Sequence, residues 1–93
     1  MKILLVVSRT NPELTKKLLL EWGFFVDIYD KDLYFSDDTL EKFREYVFKH
    51  NSDIIISLGE DADLFCSYFY GKTGWPWIGS MQEFIGKTFR GLV

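Results

Sequence analysis

Four short apolar segments are spaced along the chain, and segments whose apolar residues recur at helical spacing follow them. The apolar segments predict strands at residues 3–7, 24–29, 53–58 and 75–78. Continuous apolar runs, as opposed to alternating ones, are typical of strands that are covered on both faces. Pro76 cannot donate a hydrogen bond to a neighbouring strand, so the fourth strand is predicted at an edge of the sheet.

The sequence indicates both the start of the first predicted helix and the face that it buries. Asn11 is a favourable N-cap, and Pro12 suits the first helical position, where its missing N–H costs nothing. Leu14, Leu18 and Trp22 then recur four residues apart, with charged residues between them. We expect this stripe to face the core.

The second predicted helix shows the same two features. Asp38 and Glu41 have the spacing of a capping box at its start. Leu40, Phe43 and Val47 form an apolar stripe among charged residues, and we expect this stripe to be buried.

The third predicted helix is short. Its first turn carries acids, which the helix dipole favours there, and Gly71 ends it, so that residues 71–73 form a turn. After the fourth strand, Ser80 and Glu83 have capping-box spacing at the start of a last helix. The apolar face of that helix consists of Phe84, Ile85, Thr88 and Phe89.

The alternation of strands and helices predicts an α/β fold. Parallel strands need crossover helices, and right-handed crossovers place these helices on both faces of the sheet. We therefore expect a small three-layer α/β/α domain, Rossmann-like or flavodoxin-like, with a four-stranded parallel sheet of order 2-1-3-4. Residues 1–93 are predicted to form this single domain.

Composition and charge narrow the function classes. The net charge of −3 argues against nucleic-acid binding, which usually needs a basic stripe to replace the counterions of phosphates. A single cysteine excludes an intramolecular disulfide. The apolar run 3–7 is too short for a signal peptide or a membrane span, so we expect a cytoplasmic protein that does not enter a membrane.

Open parallel sheets bind ligands at the carboxyl ends of their strands, where the strand order reverses. Arg9, beside the start of a helix, suits an anion there, either a phosphorylated small molecule or a nucleotide, because a guanidinium and free N–H groups converge. The predicted ligand-binding residues are Ser8, Arg9, Thr10, Asn11, Gly59, Glu60 and Asp61. The alternative is that Arg9 pairs with Glu60 or Asp61 and only ties the two loops together.

Two single residues and one loop acid offer little further chemistry. Asp30 ends the second strand, where an acid binds ribose in dinucleotide-binding folds, but the accompanying glycines are absent, so we expect a solvated loop acid. Cys66 and His50 are the only residues of their kinds, which excludes a His/Cys metal cluster. We expect Cys66 to pack inside the third helix and His50 to cap the end of the second.

Acids at the start of the third helix are explained by capping, and a divalent-metal cluster of Glu60, Asp61 and Asp63 is the alternative. Residues 71–73, Gly-Lys-Thr, match the end of a phosphate-binding loop, but Cys66 stands where that motif requires glycine. We therefore assign no catalytic residue, no cofactor and no metal, and the sequence favours a protein without enzymatic activity.

Aromatic residues are most dense in the third helix and the fourth strand. Tyr68, Tyr70, Trp75 and Trp77 lie there, and not all of them can be buried in so small a domain. Either these rings fill the core, or they form an exposed surface that binds a protein partner or a second copy of the chain. The second interpretation gives the leading hypothesis, a small α/β module that acts through protein–protein interaction or as a homodimer.

Residues 2–87 resemble the N-terminal Rossmann-like domain that precedes the catalytic part of ATP-grasp ligases. The segments that carry the resemblance are 3–7, 25–29, 53–56 and 74–80. In that family a similar Ile-Gly-Ser element ends the fourth strand, and a helix with a lysine follows, where this chain has Lys87. The resemblance implies an accessory, ligand-shaping domain without ligase activity of its own.

Residues 1–60 are also similar to a receiver domain of signalling proteins. A receiver carries paired acids after its first strand and an aspartate at the end of its third. Here Ser8 and Arg9 occupy the first position and Ser57 the second. This resemblance implies the fold without phosphotransfer.

Overall fold

The computed structural model describes residues 1–79, in which strands and helices alternate. In chain order the elements are β1 (Lys2–Val7), α1 (Glu13–Glu21), β2 (Phe25–Tyr29), α2 (Asp37–Lys49), β3 (Ile54–Leu58), α3 (Glu60–Thr73) and β4 (Trp77–Ile78). The predicted last helix, with Ser80 and Glu83 at its start, lies outside the described residues. Within residues 1–79, no helix has the length and apolar character needed to cross a membrane.

The four strands are all parallel and lie in the order β2-β1-β3-β4, which confirms the predicted sheet. In β1, Leu4 pairs with Asp27 of β2 on one side and with Ile55 of β3 on the other. The two-residue β4 lies at an edge, as Pro76 predicts, and Trp77 pairs with Ile55. The carbonyl of Pro76 accepts the N–H of Ile55 at 2.9 Å and so extends the contact between β3 and β4.

Side chains of β1 alternate between two cores. Leu4 and Val6 pack on the side of α2 and α3, whereas Ile3, Leu5 and Val7 pack on the side of α1. All five side chains are buried. Because both faces of β1 are covered, apolar side chains occupy both, which explains the continuous apolar run and confirms the three-layer architecture.

Aromatic rings join α2 and α3 in the larger core. Phe43 is fully buried and meets Phe65 and Phe69 edge to face, with ring centroids 5.1 and 4.7 Å away. Val47 is also fully buried, and Leu40 packs against the cluster. The predicted stripe of α2 is therefore confirmed.

The N-cap of α2 differs from the prediction. Ser36 has an extended backbone, and its Oγ accepts the N–H of Thr39 at 3.1 Å. Asp38 already lies inside the helix, where it pairs with Lys42 at 3.1 Å. The predicted capping box of Asp38 and Glu41 is wrong, because the helix begins one residue before Asp38.

Helix α1 buries a different side from the predicted one. Leu14, Leu18 and Trp22 are all exposed, Leu14 by 71% and Trp22 by 67%, and Leu19 is the buried residue. The leucines at 18–20 place apolar side chains on three sides of the helix. Spacing alone therefore did not determine which side meets the sheet.

The start of α1 lies one residue later than predicted. Pro12 occupies the N-cap position, and the helix begins at Glu13. Asn11 still serves the helix start, because its Oδ1 accepts the N–H of Glu13 at 3.0 Å. The predicted side-chain contribution of Asn11 is present, from the residue that precedes the N-cap.

Helix α3 is longer than predicted and includes Gly71. It ends at Gly74, whose φ of 70° is left-handed and whose N–H donates to the carbonyl of Tyr70 at 2.7 Å. This left-handed position is the one that requires glycine. The prediction that residues 71–73 form a separate turn is wrong, since they complete the last turn of the helix.

Candidate functional site

The loops after β1 and β3 meet at the carboxyl edge of the sheet, where the strand order reverses. The N–H of Ser8 donates to the carbonyl of Leu58 at 2.9 Å, and Ser8 Oγ accepts the N–H of Ala62 at 2.9 Å. Gly59 has a φ of +104°, and a Cβ there would lie 2.1 Å from the carbonyl oxygen of Ser8. A side chain at Gly59 would push the two loops apart, so glycine is what permits their contact.

Arg9 follows this contact with a left-handed backbone, φ 50°. Its side chain is exposed, and its Nε lies 3.8 Å from Oδ2 of Asp61 in α3. The structure thus contains the loop-to-loop ion pair that the sequence offers as the alternative to an anion site. An exposed pair of this kind contributes about 1 kcal/mol or less. Its main effect is that Asp61 partly neutralises the charge that Arg9 would present to an anion.

The N–H groups at both helix starts are partly occupied by side chains of the protein itself. The N–H of Ala62 in α3 bonds to the loop after β1, and the N–H of Glu13 in α1 bonds to Asn11. Thr10 and Glu60 are exposed beside these groups. The structure therefore brings the predicted ligand-binding residues to one edge, but it places acids and capping side chains among the N–H donors.

A cavity of about 300 Å³ opens at this edge, against the loop that follows β2. Its charged and aromatic lining consists of Arg9, Asp30, Lys31, Asp32, Tyr34 and Asp61. Three carboxylates thus line it with two cationic side chains. Sequence reasoning missed Asp32 and Tyr34. Their position directly after β2 was the available signal, because the carboxyl ends of parallel strands share one edge.

A patch of exposed apolar side chains lies next to this cavity and is called here the aromatic surface. It consists of Tyr34, Phe35, Leu64 and Tyr68, all of them exposed. Phe35, 60% exposed, meets the ring of Tyr68 edge to face at 5.8 Å, and it also lies 6.3 Å from the buried ring of Phe65. Leu64 precedes Tyr68 by one helical turn, so the two share one face of α3.

The other predicted interaction residues do not join this surface. Trp77 is half-buried against the larger core, and its Nε1 donates to Ser57 Oγ at 2.8 Å. Trp75 is also half-buried and contacts the ring of Phe48 at 5.2 Å. Tyr70 is exposed, but it follows Tyr68 by two residues and so projects from a different side of α3. Of the four predicted residues, the aromatic surface contains Tyr68 alone.

A buried polar network explains the position of Trp77. Ser57 accepts the hydrogen bond of the indole and donates its own to the carboxylate of Asp63, which is buried in the first turn of α3. Burial, and then the charge of Asp63, raises the pKa of the Cys66 thiol. The thiol therefore stays protonated, and the predicted packing of Cys66 inside α3 is confirmed by its burial.

The divalent-metal alternative at the start of α3 has no support in the part of the chain that the structure describes. No group of three or more His, Cys, Asp or Glu side chains there is arranged to hold a metal ion. Glu60 and Asp61 are exposed, whereas Asp63 points into the core toward Ser57. Three acids that are adjacent in sequence therefore do not converge on one point.

His50 is the C-cap residue of α2, as predicted. Its ring stacks on Tyr46 at 4.1 Å, and its Nδ1 lies 3.5 Å from Oδ2 of Asp27. Lys2 Nζ lies 4.0 Å from the same oxygen. This group of charges ties the end of α2 to β1 and β2 and belongs to the framework of the domain.

Comparison of the chain with protein-family models, with curated proteins and with solved structures gave no match. The resemblances to the N-terminal domain of ATP-grasp ligases and to receiver domains therefore stay expectations. The functional proposal below is based on the geometry of the carboxyl edge.

Proposed function

We propose that this chain is a small interaction module that binds another protein through the aromatic surface of Tyr34, Phe35, Leu64 and Tyr68. The observation that carries the proposal is the exposure of these side chains together. Phe35 and Tyr68 are 60% and 41% exposed while their rings are in contact. Contiguous exposed apolar groups are uncommon on monomers and typically mark interfaces, and aromatic residues dominate the binding energy of interfaces.

The position of the aromatic surface also suits recognition. Phe35 lies on the loop between β2 and α2, whereas Leu64 and Tyr68 lie on a rigid helix. The helix supplies fixed contacts and the loop supplies side chains whose arrangement adapts to a partner. No catalytic residue or cofactor takes part in the proposal, and it assigns the chain to the cytoplasm, where a lone cysteine stays reduced.

Charge around the aromatic surface favours a different protein over a second copy. Asp32, Asp37 and Asp61 are exposed close to it in the chain or along α3. A two-fold dimer through this surface would bring the acids of both copies into one interface, which is unfavourable. The same acids disfavour nucleic acid. A heterologous protein partner therefore fits better than homodimerisation.

The proposal is tested by partner capture with matched variants. The full chain, a Phe35→Ser/Tyr68→Ser variant and a Leu14→Ser/Trp22→Ser control are immobilised and exposed to an extract of the source cells. The control removes apolar side chains that are more exposed, 71% for Leu14 and 67% for Trp22, from α1 and its C-cap, and α1 covers the other face of the sheet. We expect one protein to bind the chain and the control and to be lost with the first variant. Identical sets of bound proteins from all three would contradict the proposal.

A second candidate function is the binding of a phosphorylated small molecule or nucleotide in the cavity of about 300 Å³. Arg9 and the reversal of strand order at this edge favour it. Asp30, Asp32 and Asp61 oppose it, because a phosphate in the cavity would meet their carboxylates. Thermal unfolding with inorganic phosphate, nucleotides and sugar phosphates tests it. A rise in Tm that Arg9→Ala abolishes would support this candidate, and unchanged Tm values would exclude it.

A further inference from the structure

We infer that the partner of the aromatic surface is cationic and inserts an arginine or lysine side chain into the adjacent cavity. This inference rests on the proposed function, since the cavity becomes an anchor only if a partner covers the surface beside it. Tyr34 belongs to both, so the cavity and the aromatic surface adjoin and one partner segment can contact the two together. The occupant is thus a segment of another protein with apolar and basic residues side by side.

Most of the charged side chains at this edge that have no ion pair within residues 1–79 are negative, and Lys31 is the cationic exception. Asp38 is paired with Lys42, and Asp61 with Arg9. The exposed acids Asp30, Asp32 and Asp37 have no ion pair within residues 1–79. Asp30 and Asp32 precede the two aromatic residues of the loop and Asp37 follows them, so a partner that covers these rings comes close to exposed carboxylates.

The cationic side chains nearby are largely committed to other contacts. Lys31 Nζ lies 5.9 Å from the ring centroids of both Tyr29 and Tyr46. Lys72 Nζ lies 5.5 Å from the ring centroid of Tyr68 and so already covers part of one aromatic ring. Arg9 and Lys31 also line the cavity, so they offset part of its negative charge, but three carboxylates still face two cations there.

The size and lining of the cavity suit one long basic side chain. A volume of about 300 Å³ is at the lower end of the range for small-molecule pockets. Its Tyr34 ring provides a face on which a guanidinium stacks, and the carboxylates of Asp30 and Asp32 provide acceptors for its N–H donors. The partner's apolar residues would then cover Phe35, Leu64 and Tyr68.

Three synthetic peptides of equal length test the inference. Leucine and tryptophan occupy alternate positions in all three, and the positions between carry arginine, glutamine or glutamate. Binding to the full chain is measured by calorimetry, and the location by NMR shifts of the Tyr34, Phe35 and Tyr68 amides. We expect the arginine peptide to bind at least about tenfold more tightly than the glutamine peptide, and the glutamate peptide to bind most weakly.

Two variants test whether the preference for the arginine peptide arises in the cavity. Asp30→Asn/Asp32→Asn should weaken the arginine peptide about tenfold and leave the glutamine peptide unchanged, whereas the control Glu21→Gln on α1 should change neither. Equal affinity of the arginine and glutamine peptides, or an arginine peptide unaffected by Asp30→Asn/Asp32→Asn, would overturn the inference. If Phe35→Ser still abolishes binding in that case, the proposed function stands without the cationic anchor. Absence of binding by all three peptides overturns the inference too, and partner capture then decides the proposed function by itself.

Discussion

Single atoms decide how closely the two loops of the carboxyl edge approach each other. The Cβ position of Gly59 lies 2.1 Å from the carbonyl oxygen of Ser8, and the backbone there is left-handed. Ser8 in turn caps α3 through the N–H of Ala62. A backbone position with no room for a methyl group therefore holds β1, β3 and α3 in register at the edge that carries the proposed site.

Gly59→Ala should lower the free energy of unfolding by about 3 kcal/mol, because the added methyl group meets backbone and the residue must keep an unfavourable φ. The matched control is Gly71→Ala. Gly71 lies within α3 with no atom within 4 Å of an added Cβ, so alanine there should stabilise by about 0.5–1 kcal/mol through helix propensity. Urea unfolding measures both, and equal effects of the two variants would contradict the steric account.

The buried serines of the domain have opposite surroundings. Ser57 accepts a hydrogen bond from Trp77 and donates one to Asp63, whereas the Oγ of Ser52 is buried without a hydrogen-bond partner among residues 1–79. Ser57→Ala should cost about 2–3 kcal/mol, since it removes a partner from two groups at once. Ser52→Ala should be close to neutral. Chemical denaturation of both variants, followed by tryptophan fluorescence, gives the comparison, and a neutral Ser57→Ala would show that the network does not hold β4.

At the scale of elements, the start of α2 provides a direct test of which residue is the cap. Ser36→Ala should destabilise the domain by about 1 kcal/mol, because Thr39 loses the acceptor of its N–H. Asp38→Asn removes only an exposed ion pair with Lys42 and should cost less than about 0.5 kcal/mol. Thermal and urea unfolding distinguish the two. The reverse order of effects would restore Asp38 as the cap.

The buried face of an element was predictable from the sequence where its residue types allow only one choice of buried side chains. The apolar run of β1 leaves no polar face for solvent, so the strand was correctly predicted to be covered on both faces. On α2, Phe43 and Val47 lie on a single apolar stripe among charged residues, so their burial was also predicted correctly. Helix α1 offered three consecutive leucines, and the choice of Leu19 depends on how the helix crosses β1 and β2. Which leucine is buried therefore depends on tertiary packing, and the local spacing of apolar residues does not determine it.

In the candidate site, too, some features were predictable from the sequence and others depend on tertiary packing. The edge itself follows from strand order, so Ser8, Arg9 and Gly59 were expected where they lie. Phe35 was not expected in the aromatic surface, because its contact with Tyr68 joins residues that are far apart in sequence. The sequence left open whether Trp77 fills the core or lies on an exposed surface, and it is half-buried because its indole N–H donates to the buried Oγ of Ser57.

At the scale of the whole molecule, two sets of titratable groups lie in different surroundings. Several exposed carboxylates lie at the carboxyl edge beside the aromatic surface, while the thiol of Cys66 and the phenols of Tyr29 and Tyr46 lie in or against the larger core. In the proposed function the first group attracts the partner, and we expect that attraction to weaken with salt, because exposed charges are screened within about 10 Å at moderate ionic strength. The second group affects stability and responds to alkaline pH.

Alkaline pH should therefore destabilise the domain, with Cys66 responding first. Burial, and then the charge of Asp63, raises the pKa of the Cys66 thiol above its ordinary 9.0. Burial likewise raises the pKa of Tyr29 and of Tyr46 above 10.0. In each case the unfolded chain releases its proton at a lower pH than the folded chain, so the folded state binds more protons and the free energy of unfolding falls as the pH rises. The stabilisation is complete below the ordinary pKa values and is lost above them.

The Cys66→Ala variant separates the thiol from the phenols. It lowers stability at neutral pH because it leaves a small cavity beside Phe65 and Phe69, so the informative quantity is the slope against pH and not the level. The natural chain should begin to lose stability near pH 9.0, by up to about 1.4 kcal/mol per pH unit, whereas the variant should hold its value until the tyrosines titrate, near pH 10.0. Urea unfolding at a series of pH values measures both onsets. If the two onsets coincide, burial does not raise the pKa of the Cys66 thiol, and the prediction is wrong. Rapid reaction of Cys66 with a thiol reagent under native conditions would then show that the thiol is accessible to solvent.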